Sequence, residues 1–262
     1  MAILPDAKIV PVFVVILLRY LIIALLGYLI FYVIKRNAWQ YRRIQFNFPT
    51  ANDYGREISF SIITAAIFTV VGYLTFMTPF KQYTQLYTPI AEYGIVYFIV
   101  SIIILLVLHD TYFYWTHRAM HHPSVFKWAH LTHHRSTNPS PWAAMAFHPV
   151  EAIVEALYVT LVSLIIPVHP LAIFIFLLIM MTYNVYGHLG YELYPKGFST
   201  SKVGKWINTS VNHNQHHQYF KGNYGLYFLW WDRWMGTLRD DYDEAFTKAT
   251  SARGARIAAV DS

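Results

Sequence analysis

Residues 9–34 read IVPVFVVILLRYLIIALLGYLIFYVI, with one charge, Arg19, in 26 positions. About 20 apolar residues in a helix span the ~30 Å hydrocarbon core of a bilayer, so such a run is a membrane-crossing candidate. Two further runs follow at 58–76 and 93–108, and a third apolar block occupies 152–183. The last is broken by IPVHP at 166–170 and reads as two short helices joined by a turn. The composition agrees with burial in lipid. Apolar residues make up 56% and charged residues 13%, against about a quarter charged in soluble domains. Aromatics reach 18%, and Tyr and Trp suit the membrane–water interface. The expected fold is an all-α integral membrane protein. It has four to five transmembrane helices, or three plus a half-inserted hairpin, and a cytoplasmic helical cap.

Positive charge orients this arrangement. The stretches 35–57, 109–151 and 184–262 together hold 17 of the 20 Lys and Arg residues. Cytoplasmic loops carry the excess of basic residues, so these stretches face the cytoplasm and the N-terminus lies outside. The formal charge of +6 then reflects loop topology, and no nucleic-acid partner is expected. The first apolar run lacks a signal-peptide cleavage pattern and reads as a retained anchor. Cysteine is absent, which excludes disulfides, cysteine-ligated iron–sulfur clusters and a cysteine nucleophile. Three regions are expected: a transmembrane part over 1–92, a histidine-rich domain over 93–240, and a polar tail over 241–262 that is a frayed helix or a disordered end.

Of 13 histidines, seven lie between 109 and 134. Their spacing is that of ligands. His117 and His121 are four apart, about 40° on a helix. His130, His133 and His134 form an HxxHH stripe about 100° wide, and His213, His216 and His217 repeat it. Each set can aim several imidazoles at one small volume, and imidazole is the commonest ligand for transition metals. With His188 the ligand candidates number nine, too many for one metal and suited to two. His109 and Asn184, the latter one helical turn before His188, are candidate ligands or supporting groups. The few carboxylates nearby, Asp110, Glu151, Glu155, Glu192 and Asp232, are candidates to accept the second N–H of a ligating ring. His169, in the IPVHP turn, reads as a hydrogen-bonded interface residue, and His122 as a bystander. A pH-sensing role for the clustered histidines does not require the same ligand spacing twice.

The segments HDTYFYWTHRAMHH, HLTHHRSTNPSPW, AFHPVEA, GHLGYEL and NHNQHHQYFKGNYGLYFLWWDRWMGT, spread over roughly 93–240, together resemble the fatty acid hydroxylase superfamily, most closely its sterol desaturase branch. The resemblance implies a membrane-bound non-haem oxygenase with two iron ions (Fe2+/Fe3+). Such an enzyme uses O2 and two electrons from an external carrier of the cytochrome b5 or ferredoxin type to hydroxylate or desaturate a sterol-like or fatty acyl lipid. It assigns the ligand roles to His117, His121, His130, His133, His134, His188, His213, His216 and His217, and it draws His148 of AFHPVEA toward the site. Zinc is expected only as an artefactual occupant. Asn184 stands where some relatives carry histidine.

The chemistry agrees with this reading. An unactivated C–H bond needs a redox metal, while the protein supplies position and a dry pocket. Tyr114, Trp115, Trp142 and Trp230 are expected at a substrate entrance, and Lys202, Lys205, Lys221 and Arg239 are placed to attract an acidic electron carrier. A divalent-metal transporter or metal-binding protein is the alternative. A transporter places its ligands on broken helices at the bilayer midplane, whereas here the histidines are expected after the apolar helices.

Overall fold

The computed structural model describes residues 8–251 and contains no β-strand among them, only three isolated bridges. Helix α1 (Ile9–Tyr28) continues through a π-helical turn, Leu29–Ile34. Helix α2 (Ala51–Phe76) starts seven residues before its apolar run. A capping box accounts for this start: the Thr50 side chain accepts from the Asp53 N–H and the Asp53 side chain accepts from the Thr50 N–H, satisfying donors that a helix start leaves open. Helix α3 (Gly94–Met120) runs well past the apolar segment expected to end at 108. No helix breaker stands between Ile95 and His122, and Pro123 follows. At 27 residues α3 is about 40 Å long, so it crosses the hydrocarbon and carries its final turns beyond it.

Two short helices follow, α4 (Pro123–Ala129) and α5 (Leu131–His134). Then come α6 (Pro149–Ile165) and α7 (Pro170–Gly187), the two halves of the broken apolar block. Helices α4, α6 and α7 share one start signal, a His-Pro dipeptide. His122, His148 and His169 each cap with Nδ1 accepting a backbone N–H, and the proline takes the first helical position, where its missing donor is not needed. The chain ends in α8 (Ser210–Tyr219), α9 (Trp230–Trp234) and α10 (Tyr242–Ser251). Helix α10 lies in the segment expected to be a frayed helix or a disordered end. Its Tyr242, Phe246 and Ala249 recur on one face and are buried against Val211 and Leu229; residues 252–262 lie outside the described residues.

Helices α1, α2, α3 and α7 are long and apolar enough to cross a membrane. Their outward faces are apolar, as with Val14, Leu18 and Ile22 on α1 and Ile99 and Ile103 on α3. Their packed faces use small and polar residues, including Ala24, Ser61, Ala65, Ser101 and Ala172, which let helices approach closely in lipid. Helix α6 has 17 residues, about 25 Å. The turn after it meets the α2–α3 connection, where Gln85 N–H donates to Ser163 and Tyr87 N–H to Val168. The α6–α7 hairpin therefore reaches the same level as that connection. At the opposite end, Ile44 N–H donates to Gly190 and Glu192 N–H to Arg42. The loops at 35–50, 121–148 and 188–241 share this second end, and all the expected ligands belong to it.

The chain has no cysteine, so single introduced cysteines report sidedness. Tyr83→Cys and Lys202→Cys, both at exposed positions, are expected to react with an impermeant maleimide from opposite sides of sealed vesicles. Labelling from one side would overturn this arrangement.

Candidate metal centre

All nine histidines at ligand spacing converge. They form two groups, His117, His121, His130, His134 and His216 in one, and His133, His188, His213 and His217 in the other. Within each group, one nitrogen from every ring lies within 4.8 Å of the others. Four segments bring them together. His117 sits in the last turn of α3 and His121 caps it; His188 caps α7; α5 with its flank supplies His130, His133 and His134; α8 supplies the rest.

Each HxxHH motif was expected to serve one volume, yet each feeds both groups. His130 and His134 join the first group and His133 the second, while His213 and His217 join the second and His216 the first. Helical angles explain the exchange. Residues i and i+4 are about 40° apart, whereas i+3 lies about 60° to the other side of i. A stripe about 100° wide thus presents two edges, one to each group.

The donor set fits metal ions better than it fits protons. The Nε2 atoms of His188, His213 and His217 form a triangle with sides of 3.1, 3.1 and 3.2 Å. His188 Nδ1 donates to the Asn184 carbonyl at 2.7 Å, so its Nε2 carries a lone pair. Protons cannot satisfy all three edges of such a triangle. Nitrogens about 2.0–2.1 Å from one shared ion fall about 3 Å apart. In the other group His117 Nε2 lies 3.0 Å from His130, and His121 Nε2 lies 3.2 Å from His216 and 3.1 Å from His134. The outer nitrogens are held in turn: His117 Nδ1 donates to Tyr224 O and His216 Nδ1 to Gly222 O. His130 Nδ1 lies 2.8 Å from Glu151 Oε1, a close pairing whose angle departs from an ideal hydrogen bond. Acceptors of this kind fix the ring and its tautomer.

Burial keeps the rings neutral, the form that binds metal. It pushes His188 down to about 4. It drives His121 to about 2, with the neighbouring His117 adding to the effect. His133, His134, His213, His216 and His217 lie well below the usual histidine range for the same reason, reinforced by nearby rings.

The remaining candidates take other positions. Asp110 accepts from the N–H groups of Tyr227 and Phe228 and from Trp230 Nε1, tying α3 to the C-terminal loop. Asp232 accepts from the Tyr224 and Gly225 N–H groups and from Thr237. Glu192 accepts from Tyr186, Tyr194 N–H and Val211 N–H. These three carboxylates shape the loops that carry the ligands. His148 caps α6. Asn184 donates its side-chain amide to Ala144 O while its carbonyl holds His188. His109 is buried, with Nδ1 2.8 Å from the Tyr227 hydroxyl and Nε2 3.9 Å from Glu155.

His109 and Asn184 also line a cavity of about 500 Å³ between the helices, within the range of small-molecule sites. Phe113 and Phe147 belong to its wall and pack on rings of the two histidine groups, Phe113 on His117 at 4.8 Å and Phe147 on His133 at 5.1 Å between centroids. The cavity therefore ends against both histidine groups. The expected entrance residues do not line it. Tyr114 is buried beside Trp231 and reaches Thr237, Trp115 packs on Trp231, Trp142 packs on Tyr20 and Tyr28, and Trp230 is held by Asp110. Along α3 the cavity face is His109 and Phe113, one turn apart, and Tyr114 is rotated about 100° away. Sequence reasoning missed Phe147, Met180 and Met181 on this wall, because no spacing marks an apolar residue as a cavity residue.

Residues 102–237 match the family described as fatty acid hydroxylase. A Delta(7)-sterol 5(6)-desaturase of Gibberella zeae is 33% identical over 193 residues, covering 72% of this chain and 57% of the relative. Human lathosterol oxidase is 30% identical over 191 residues, covering 72% and 62%. A second Delta(7)-sterol 5(6)-desaturase, from Aspergillus fumigatus, is 30% identical over 205 residues, covering 72% and 63%. The chain thus spans about three fifths of the length of these relatives. No solved structure matches it.

Two measurements follow from this geometry. Glu151→Gln weakens the hold on His130 and is expected to lower metal affinity by about 10–100-fold with the helical content unchanged; unaltered affinity would remove Glu151 from the site. In the metal-free protein, His188 titrates near 4 when folded and near 6.5 when unfolded. Between those values the unfolded chain binds a proton that the folded chain does not, so stability is expected to fall as the pH drops from about 6.5 to about 4. Thermal unfolding across this window checks the sign, and a His188→Gln variant should show a shallower slope.

Proposed function

The chain belongs to the fatty acid hydroxylase family and groups with its sterol desaturases, and from that premise we propose that it is a membrane-bound di-iron oxygenase that hydroxylates or desaturates a lipid C–H bond. The observation that carries this reading is the contact between two histidine ligand groups and the inner end of an apolar cavity. His117, His121, His130, His134 and His216 would hold one iron, and His133, His188, His213 and His217 the other. The bound pair supplies the redox chemistry that uses O2 and two electrons to oxidise an unactivated C–H bond.

The chain's own residues bind and orient. Phe113 and Phe147 separate the cavity from the ligand rings and set how closely a hydrocarbon approaches them. Met180, Met181 and Leu226 keep the approach apolar, so water is excluded and the lipid need not leave an oily phase. His117 lies 23 residues after Gly94, about 35 Å along α3, past a hydrocarbon core of ~30 Å. The chemistry would thus take place at the membrane face, within reach of an external carrier of the cytochrome b5 or ferredoxin type. The basic-loop bias assigns that face to the cytoplasm. Lys202, Lys205 and Lys221 are exposed there and suit an acidic carrier; Arg239 is already paired with Asp241. Ligands at helix ends also argue against a metal transporter, which binds its cargo at mid-membrane breaks.

Protein loaded anaerobically with Fe2+, then given O2 and reductant, is expected to consume oxygen only when a lipid substrate is present. His133→Ala and His216→Ala, one from each group, are expected to lower this uptake by more than about 100-fold, beyond a supporting-residue effect, with membrane insertion intact. Lipid-independent uptake, or transport of metal into vesicles, would sink the oxygenase reading.

A further inference from the structure

The cavity wall carries a cation, Arg19, with no partner among the described residues. Arg19 is the single charged residue between Ile9 and Ile34. It lies ten residues into α1, about 15 Å along the axis, near the middle of a ~30 Å core. It does not run out along the lipid face: Leu18 and Ile22 are 49% and 54% exposed, whereas Arg19 is 9% exposed and lines the cavity. Its Nε has no hydrogen-bond partner, and no carboxylate among the described residues lies within ion-pair distance of it. The carboxylate on the cavity wall, Glu155, is instead nearest to His109. An unpaired charge in an apolar interior is strongly unfavourable, and an ionisable residue inside a membrane marks a functional position.

The distance from Arg19 to the histidines follows from packing. A Cβ on Gly27 would lie 3.3 Å from Val185 and 3.5 Å from Leu189, so Gly27 is level with the end of α7 that carries His188. Arg19 is eight residues earlier, about 12 Å deeper in the membrane. The wall between is apolar, with Phe147, Met145 and Met181.

We propose that Arg19 binds the carboxylate of an acidic lipid whose hydrocarbon runs along the cavity to the histidine groups. The inference rests on the lipid-oxidation reading and narrows its substrate class. A carboxylate matches the guanidinium fork with two parallel hydrogen bonds and cancels its charge. A neutral hydroxyl leaves that charge uncompensated.

The test is equilibrium binding to the iron-loaded, full-length protein in phosphatidylcholine nanodiscs, with palmitate and hexadecanol as matched probes. Native protein is expected to prefer palmitate by at least ~10-fold. Arg19→Gln, which stays polar but removes the charge, is expected to abolish the preference while hexadecanol affinity stays within about twofold, and Arg19→Lys, which keeps the charge but not the fork, to retain only part of it. Equal affinity for both probes in native protein overturns the proposal, as does palmitate affinity that Arg19→Gln leaves unchanged. It also falls if Arg19→Gln removes phosphatidylglycerol binding but not palmitate binding, since the anion is then a bilayer phosphate. Charge-dependent palmitate binding without lipid-dependent oxygen uptake sinks the oxygenase reading and upholds the carboxylate site.

Discussion

Nine imidazoles, eight of them buried, that turn ring nitrogens toward one another form an arrangement that neutral side chains do not favour by themselves. Each ring holds one proton between two nitrogens, and where the outer nitrogen donates to a carbonyl, the inner one carries a lone pair. His188, His213 and His217 bring three inner nitrogens together. A shared cation turns that convergence from repulsive to binding. Much of the surrounding chain reads as the frame that holds these rings: Asp110 and Asp232 pin the loop between α8 and α9, and Glu192 pins the start of α8 to the end of α7.

The membrane sets the second constraint. Backbone groups in hydrocarbon must be satisfied within the segment, so helices cross and ligand-bearing loops gather at one end. Helix α3 joins the two environments without a break, since its first turns meet lipid and its last carries His117. The cavity follows the same axis, from His109 inside the core to Phe113 beneath the ligand rings. One element thus positions both the route and its end.

Histidine in this chain has three uses that spacing alone separates only in part. Nine rings form the two groups that could hold metal. His122, His148 and His169 begin helices, and the His-Pro dipeptide was the available signal, since proline favours the first helical position and leaves the preceding residue to cap. His109 belongs to the cavity wall and hydrogen-bonds to Tyr227, 118 residues away, a pairing no local pattern encodes. A helix was only one of two readings of the α10 segment, because three apolar residues over eight positions make a weak stripe in a charged segment, and burial against α8 is what stabilises it.

Sequence alone determined the number and order of the apolar helices, the break between α6 and α7, and the nine histidines at ligand spacing, because hydrophobic runs and residue spacing are local properties of the chain. Tertiary structure decided what depends on several segments meeting. It divided each HxxHH between two groups, sent Asp110 and Asp232 to loop clamps rather than to the rings, and turned Tyr114, Trp115, Trp142 and Trp230 away from the cavity. It also gave Arg19 its meaning. In sequence that residue is a single interruption in an oily run; in the fold it faces inward, with no counter-charge among the described residues, because α1 turns that side toward the space enclosed by its neighbours.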